Sequence, residues 1–127
     1  MKEKLMKLNR NAYSPYYHTN VSSIVVMKDG NEFTGVNVEN ANGTSICAER
    51  NAIAAAVAHG YKKGDFKEIF VMLSNGKIGY PCMACRQVLL EFMESNANVT
   101  SISMDGLKET HTLEELCPFA FTSEDLK

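Results

Sequence analysis

Residues 47–50 read Cys-Ala-Glu-Arg and residues 81–87 read Pro-Cys-Met-Ala-Cys-Arg-Gln, and these two stretches organise the chain. They contribute three thiols and one carboxylate, from Cys47, Cys82, Cys85 and Glu49. Two cysteines separated by two residues can bind one ion together, and zinc takes thiolate ligands readily. No histidine or further cysteine stands beside either stretch. We therefore predict one zinc ion per chain, held by the three cysteines.

Three protein ligands are typical of a catalytic zinc site. A structural site fills all four tetrahedral positions with protein, whereas a catalytic site keeps one for water. Zinc lowers the pKa of a bound water to about 7, so that hydroxide is available at neutral pH. Glu49, two residues from a predicted ligand, is suited to move protons without binding the metal. Three thiolates on a dication leave one net negative charge, which we expect the guanidinium of Arg50 to offset from outside the ligand set.

The Cys-x-x-Cys pair alone has other interpretations. It could be a redox pair or half of a structural zinc site. A non-catalytic domain stapled by structural zinc, or a non-catalytic ligand-binding protein, is the alternative from another functional class. The proline before the pair and the upstream Cys-x-Glu favour a catalytic site. A structural site has no use for Glu49.

Bulk composition indicates an ordinary globular protein. The 127 residues predict a single domain, 45% of them are apolar and 22% are charged. A net charge of −2 predicts neither a nucleic-acid face nor binding to an anionic membrane. No apolar run reaches the roughly 20 residues that span a bilayer, and the charged N-terminus lacks the apolar core of a signal peptide. We expect a cytoplasmic protein whose cysteines bind metal rather than form disulfides.

Strands and helices alternate along the chain. The patterns predict helices at 2–13, 47–59 and 82–94, strands at 21–28, 32–38, 67–74, 98–104 and 108–112, and a last helical turn from Thr112. Thr44 or Ser45 is a candidate cap for the second helix. Both cysteine stretches fall where a strand gives way to a helix. This order predicts an α/β fold with three α/β/α layers and a central mixed sheet of about five strands.

The two stretches resemble those of the small, homotetrameric, zinc-dependent cytidine deaminases, and the resemblance extends over residues 12–126. It implies a cytidine deaminase-like fold and the hydrolysis of cytidine or 2′-deoxycytidine to the uridine and ammonia, a step of pyrimidine salvage. It also implies a homotetramer with shared active sites.

The resemblance assigns further substrate-binding residues. On the sequence alone, Asn37-Val38-Glu39-Asn40 is most simply a polar strand end. Cytidine deaminases carry an Asn-x-Glu-Asn run here, and the resemblance implies that Asn37 and Glu39 hold the ribose. It places Ala48 against the substrate. Phe121 matches a phenylalanine near the C-terminus that reaches the neighbouring subunit's pocket.

Departures from the family pattern concern the base pocket. Thr19 stands where the family has a base-contacting phenylalanine, Ser22 replaces a glycine, and Met83 replaces the glycine of Pro-Cys-Gly-x-Cys. Blasticidin S deaminases are a related branch that lacks the same phenylalanine. Deamination of another aminopyrimidine nucleoside, such as blasticidin S or a modified cytidine, is therefore the alternative function.

Overall fold

A five-stranded mixed sheet forms the centre of the structure, a computed structural model that describes residues 1–127. Its strands are β1 (Val21–Met27), β2 (Glu32–Val36), β3 (Phe66–Leu73), β4 (Asn98–Ile102) and β5 (Lys108–Thr112). They lie in the order β2-β1-β3-β4-β5. Only β3 and β4 run parallel, and the other neighbouring strands are antiparallel.

Helices cover both faces of this sheet. They are α1 (Lys2–Asn9), α2 (Ala48–Ala58), α3 (Met83–Phe92) and the short α4 (Leu113–Leu116), followed by a 3-10 turn at Ser123–Leu126. Successive strand residues point to opposite faces. Val25 accordingly joins a core with α2 and α3, whereas Ile24 joins a smaller core with Leu5 of α1. The predicted three-layer α/β/α fold with a five-stranded mixed sheet is confirmed.

The first helix, α1, is shorter than predicted and ends at Asn9 rather than at residue 13. The buried Asn9 amide nitrogen lies 3.2 Å from the carbonyl oxygens of Asn20 and Met72 and from the Ser22 hydroxyl. These contacts are far apart in sequence, so helical periodicity could not reveal them. Strand β4 likewise ends at Ile102 rather than at residue 104.

A close contact between β2 and α2 fixes where α2 begins. A Cβ atom on Gly35 would lie 2.3 Å from the carbonyl oxygen of Ala48 and 2.5 Å from the amide nitrogen of Ala52. Both are backbone atoms that no rotamer change can move aside. Glycine at this position therefore allows the first turn of α2, and with it Cys47, to lie directly against the sheet.

Replacing Gly35 tests that contact. We expect Gly35→Ala to lower the free energy of unfolding by at least about 1–3 kcal/mol, because the added methyl group overpacks rigid backbone. Thr34→Ala, at an exposed position of the same strand, is the control and should stay within about 0.5 kcal/mol of wild type. Urea denaturation measures both. Equal stability of the two variants would contradict the close approach.

No helix of the chain is both long enough and apolar enough to cross a membrane.

Candidate metal centre and substrate cleft

Three thiols meet where two helices begin. Cys47 is the N-cap residue of α2, Cys82 is the N-cap residue of α3, and Cys85 lies in the first turn of α3. Their three sulfur atoms all lie within 4.8 Å of one another, and the Cys47 and Cys82 sulfurs are 3.7 Å apart. The free N–H groups and dipole of a helix N-terminus favour thiolate over thiol. The structure thus brings together the three cysteines that the sequence singled out.

The donor set fits one zinc ion per chain. Thiolate sulfur is a preferred zinc ligand, and the cluster contains three thiols with no histidine or carboxylate among them. One tetrahedral position is therefore left without a protein ligand, which distinguishes this site from a closed structural one. The fourth cysteine, Cys117, lies in the hydrophobic core at the end of α4 and is not part of the cluster.

The predicted capping of α2 by Thr44 or Ser45 is wrong. The N-cap residue is Cys47, in an extended conformation, and its side chain makes no capping hydrogen bond. Thr44 instead accepts a 2.9 Å hydrogen bond from the side chain of Asn40. Cys82 also caps its helix without a side-chain bond. Both thiols are therefore uncommitted to helix capping.

Burial and crowding give the ionisable groups of the cluster different pKa values. Burial raises the pKa of the Cys85 thiol, and the nearby Glu49 carboxylate raises it further. Burial also opposes ionisation of Cys82, but hydrogen bonds from the Cys85 backbone and from the Cys85 and Cys47 thiols outweigh it and lower the Cys82 pKa. A divalent cation bound here displaces protons from the thiols, so its affinity depends on pH.

The guanidinium of Arg50 lies beside the sulfur cluster. Its Nη2 donates to the Cys47 sulfur at 3.5 Å and to the Ser45 carbonyl oxygen at 3.4 Å. The hydrogen bond to Cys47 raises the pKa of the guanidinium. Its Nε is buried and has no hydrogen-bond partner. An unpartnered cationic donor at this position suits a cluster whose sulfurs carry negative charge.

A cleft of ≈ 260 Å³ opens over this cluster. Its lining includes six of the residues predicted from the sequence: Asn37, Glu39, Cys47, Ala48, Glu49 and Cys82. The volume lies just below the roughly 300–1,000 Å³ of pockets for drug-sized ligands, so the cleft suits a small molecule. Cys85 is buried and does not line the cleft.

Glu49 is a buried carboxyl group in this cleft, with only 4% of its surface exposed. It stands in the first turn of α2. Burial raises its pKa, and hydrogen bonds from its own backbone N–H and from the Cys85 thiol only partly counter that rise. A carboxyl group with a raised pKa can hold a proton closer to neutral pH than an ordinary glutamate.

Asn37 and Glu39 follow β2 and already make hydrogen bonds within the protein. Asn37 accepts from the Val21 N–H at 2.8 Å and donates to the Thr19 carbonyl oxygen at 2.9 Å. Glu39 Oε1 accepts from the backbone N–H groups of Tyr16 and Tyr17 at 2.8 and 3.2 Å. Amide and carboxylate groups each have further donor or acceptor capacity. Both side chains therefore position the first loop, which connects α1 to β1, and can still bind a ligand.

Sequence reasoning missed several residues of the cleft wall. The additional lining residues are Tyr17, Val21, Ser45, Ile46, Val71, Leu73 and Tyr80. Val71 and Leu73 come from the carboxyl end of β3, the edge at which parallel α/β sheets build their sites. Tyr80, an aromatic residue two positions before a predicted ligand, was a usable signal.

Two residues of the predicted base pocket lie outside the cleft of their own chain. Thr19 does not line it and uses its carbonyl oxygen to hold Asn37. Phe121 lies in a separate groove against α3, where its carbonyl oxygen accepts a 2.9 Å hydrogen bond from Gln87.

The sequence model of a protein family, the cytidine and deoxycytidylate deaminase zinc-binding region, matches residues 1–101. The chain belongs to this family. It is 35% identical to a cytidine deaminase of Halalkalibacterium halodurans over 98% of this chain and 93% of that protein. It is 40% identical to a probable cytidine deaminase of Dictyostelium discoideum, over 91% of this chain and 77% of that protein.

Solved structures support the same assignment. A cytidine deaminase from Burkholderia pseudomallei superposes with a TM-score of 0.87 at 36% identity, over 94% of each chain. One from Mycobacterium tuberculosis gives 0.80 at 28% identity, over 96% of this chain and 94% of that one. The family resemblance inferred from the two cysteine stretches is thereby confirmed.

Metal analysis of cysteine variants tests the cluster. We expect purified wild type to contain one zinc ion per chain and Cys85→Ser to lose it, because two thiolates hold zinc far less tightly than three. Cys117→Ser, a matched cysteine outside the cluster, should keep its zinc. Apparent zinc affinity should rise with pH, since protons compete for the thiolates. Zinc retained by Cys85→Ser and lost from Cys117→Ser would contradict the assignment.

Proposed function

We propose that the chain, as one catalytic domain over residues 1–127, hydrolyses cytidine and 2′-deoxycytidine to uridine and 2′-deoxyuridine with release of ammonia, a step of pyrimidine salvage. The observation that carries this proposal is a buried carboxyl group, Glu49, in the same small cleft as the three-thiol cluster. Cytidine deaminases are also the relatives named above.

The reaction exchanges the amine on C4 of the base for an oxygen from water. Bound zinc supplies Lewis acidity that makes a water molecule acidic near neutral pH. Glu49 would take one proton from the attacking water and give it to the ring nitrogen N3 while the water oxygen bonds to C4. It would then carry the remaining proton of that oxygen to the amine, so that the C4–N bond breaks and ammonia leaves. Its raised pKa suits both transfers, because the group must accept and release protons at the same pH.

Asn37 and Glu39 are the proposed sugar-binding residues. A ribose hydroxyl both donates and accepts, which matches an amide and a carboxylate. The two hydrogen bonds to Glu39 both go to Oε1 and leave Oε2 available. Since Glu39 is 6% exposed and held by two backbone N–H groups, its position is set before a ligand binds. Ala48, buried between Cys47 and Glu49, lines the cleft where the base would lie.

The proposal includes a homotetramer with shared sites. Phe121 is 56% exposed and Phe119 fully exposed, and Met83 lies with them along an apolar groove. A partner subunit would bury these side chains, and Phe121 would close the neighbour's cleft over the base. Four free cysteines agree with the reducing cytoplasm as the proposed location.

Deamination of another aminopyrimidine nucleoside, such as blasticidin S or a modified cytidine, is the second candidate. It is favoured by the first loop, where Thr19 provides no aromatic wall to the cleft. The zinc chemistry and the role of Glu49 would be the same for both candidates.

An ultraviolet assay of zinc-loaded protein on cytidine tests the function. We expect turnover in wild type and a loss of about 10²- to 10⁴-fold in kcat for Glu49→Gln, because the amide cannot transfer protons. Glu91→Gln, an exposed glutamate of α3, is the matched control. Zinc content is measured for each protein. Full activity of Glu49→Gln would overturn the mechanism. Inactivity of zinc-loaded wild type on cytidine, with turnover of a modified cytidine, would favour the second candidate.

A further inference from the structure

Tyr80 stands in the cleft wall immediately before the zinc cluster. It lies two residues ahead of Cys82 and, with Tyr17, is one of the two aromatic residues that line the cleft. Tyr17, in the loop before β1, is 79% exposed, whereas Tyr80 is 36% exposed. Tyr80 is thus the more enclosed of the two aromatic walls and the nearer in sequence to the predicted reacting centre.

The Tyr80 side chain is held by β5. Its hydroxyl donates a hydrogen bond to the Glu109 carboxylate, and the His111 ring packs edge-on against it at a centroid distance of 5.4 Å and an interplanar angle of 65°. His111 Nε2 lies 3.1 Å from Glu109, and its Nδ1 lies 3.5 Å from Glu115. Tyr80 is therefore tied to a network on a different strand rather than left free at the surface.

This arrangement gives the cleft a fixed aromatic surface. A planar base gains about 1–3 kcal/mol from contact with an aromatic side chain at nucleic-acid sites, a factor of about 5 to 150 in affinity. The gain is largest when the ring is already in position, because no side-chain entropy is lost on binding. The contacts to Glu109 and His111 supply that fixed position. Val71 and Leu73 extend the wall with aliphatic surface.

We propose that Tyr80 is the specificity-determining wall for the base, and that Glu109 and His111 are positioning residues that hold it. The inference rests on the proposed function, since it requires a nucleobase in this cleft. Base recognition is thereby assigned to Tyr80, just before α3, with support from β5. The proposed sugar-binding and proton-transfer residues lie elsewhere, after β2 and in α2.

Cytidine binding and turnover in Tyr80 and Glu109 variants test the proposal. Tyr80→Leu removes the ring, Tyr80→Phe keeps the ring but loses its hydrogen bond, and Glu109→Gln weakens the anchor. Glu114→Gln, an exposed carboxylate of α4 without a side-chain partner, is the matched control. Zinc content, melting temperature, kcat and KM are measured for each, and calorimetry gives the cytidine Kd in a Glu49→Gln background.

For Tyr80→Leu we expect KM and Kd to rise about 5- to 150-fold while zinc content stays at one per chain. Tyr80→Phe and Glu109→Gln should show smaller rises in the same direction, and Glu114→Gln none. The preference for cytidine over a cytidine with an added methyl group on the base should fall in Tyr80→Leu, because leucine leaves more room.

The possible outcomes distinguish failure of the proposed function from failure of the proposed role of Tyr80. If wild type neither binds nor deaminates cytidine, the proposed function fails. If wild type is active but Tyr80→Leu binds cytidine as tightly as wild type, only the role of Tyr80 is overturned. A lower melting temperature with unchanged Kd would also overturn it, by making Tyr80 a structural residue. Should Tyr80→Leu not fold, unchanged KM and Kd in both Tyr80→Phe and Glu109→Gln would have the same meaning.

Discussion

The packing of three thiols within 4.8 Å of one another is the constraint on which the rest of the site depends. Three sulfurs this close repel one another once they ionise, so the arrangement needs positive charge. The N-termini of α2 and α3 and the Arg50 guanidinium provide part of it, and a zinc ion provides the rest. Gly35 belongs to the same constraint, because it lets α2 lie close enough to the sheet for its cap residue, Cys47, to meet Cys82 and Cys85 of α3.

In the cleft, the residues proposed to bind zinc and to transfer protons are separate from those proposed to recognise the sugar. The residues proposed to bind zinc and to move protons lie at the starts of two helices, where the backbone fixes their positions. The proposed sugar-binding residues, Asn37 and Glu39, lie in extended chain after β2 and are held by hydrogen bonds to the first loop. A change in that loop can therefore alter which nucleoside binds without disturbing the metal ligands. This separation explains how Thr19 can differ from the family pattern beside an intact cysteine cluster.

The sequence alone predicted the three-cysteine cluster better than it predicted the residues that form the wall of the cleft. The spacing of Cys82 and Cys85, with Cys-x-Glu upstream, predicted the three-cysteine cluster, and the hydrophobic periodicity along the chain predicted the order of strands and helices. It could not show that α1 ends at Asn9, because the partners of that side chain lie on β1, β3 and the loop between α1 and β1. The Tyr80–Glu109 contact, between residues 29 positions apart, was hidden for the same reason. Side-chain hydrogen bonds across the sheet leave no periodic signal in the sequence.

X-ray absorption at the zinc edge of the purified protein tests the central claim most directly, because it counts the atoms around the metal. An open three-thiolate site predicts three sulfur ligands at about 2.3 Å and one oxygen ligand at about 2.0–2.2 Å. The same spectrum should persist in Cys117→Ser. Four sulfur ligands, or three sulfurs with a histidine nitrogen, would mean a closed structural site and would contradict the account.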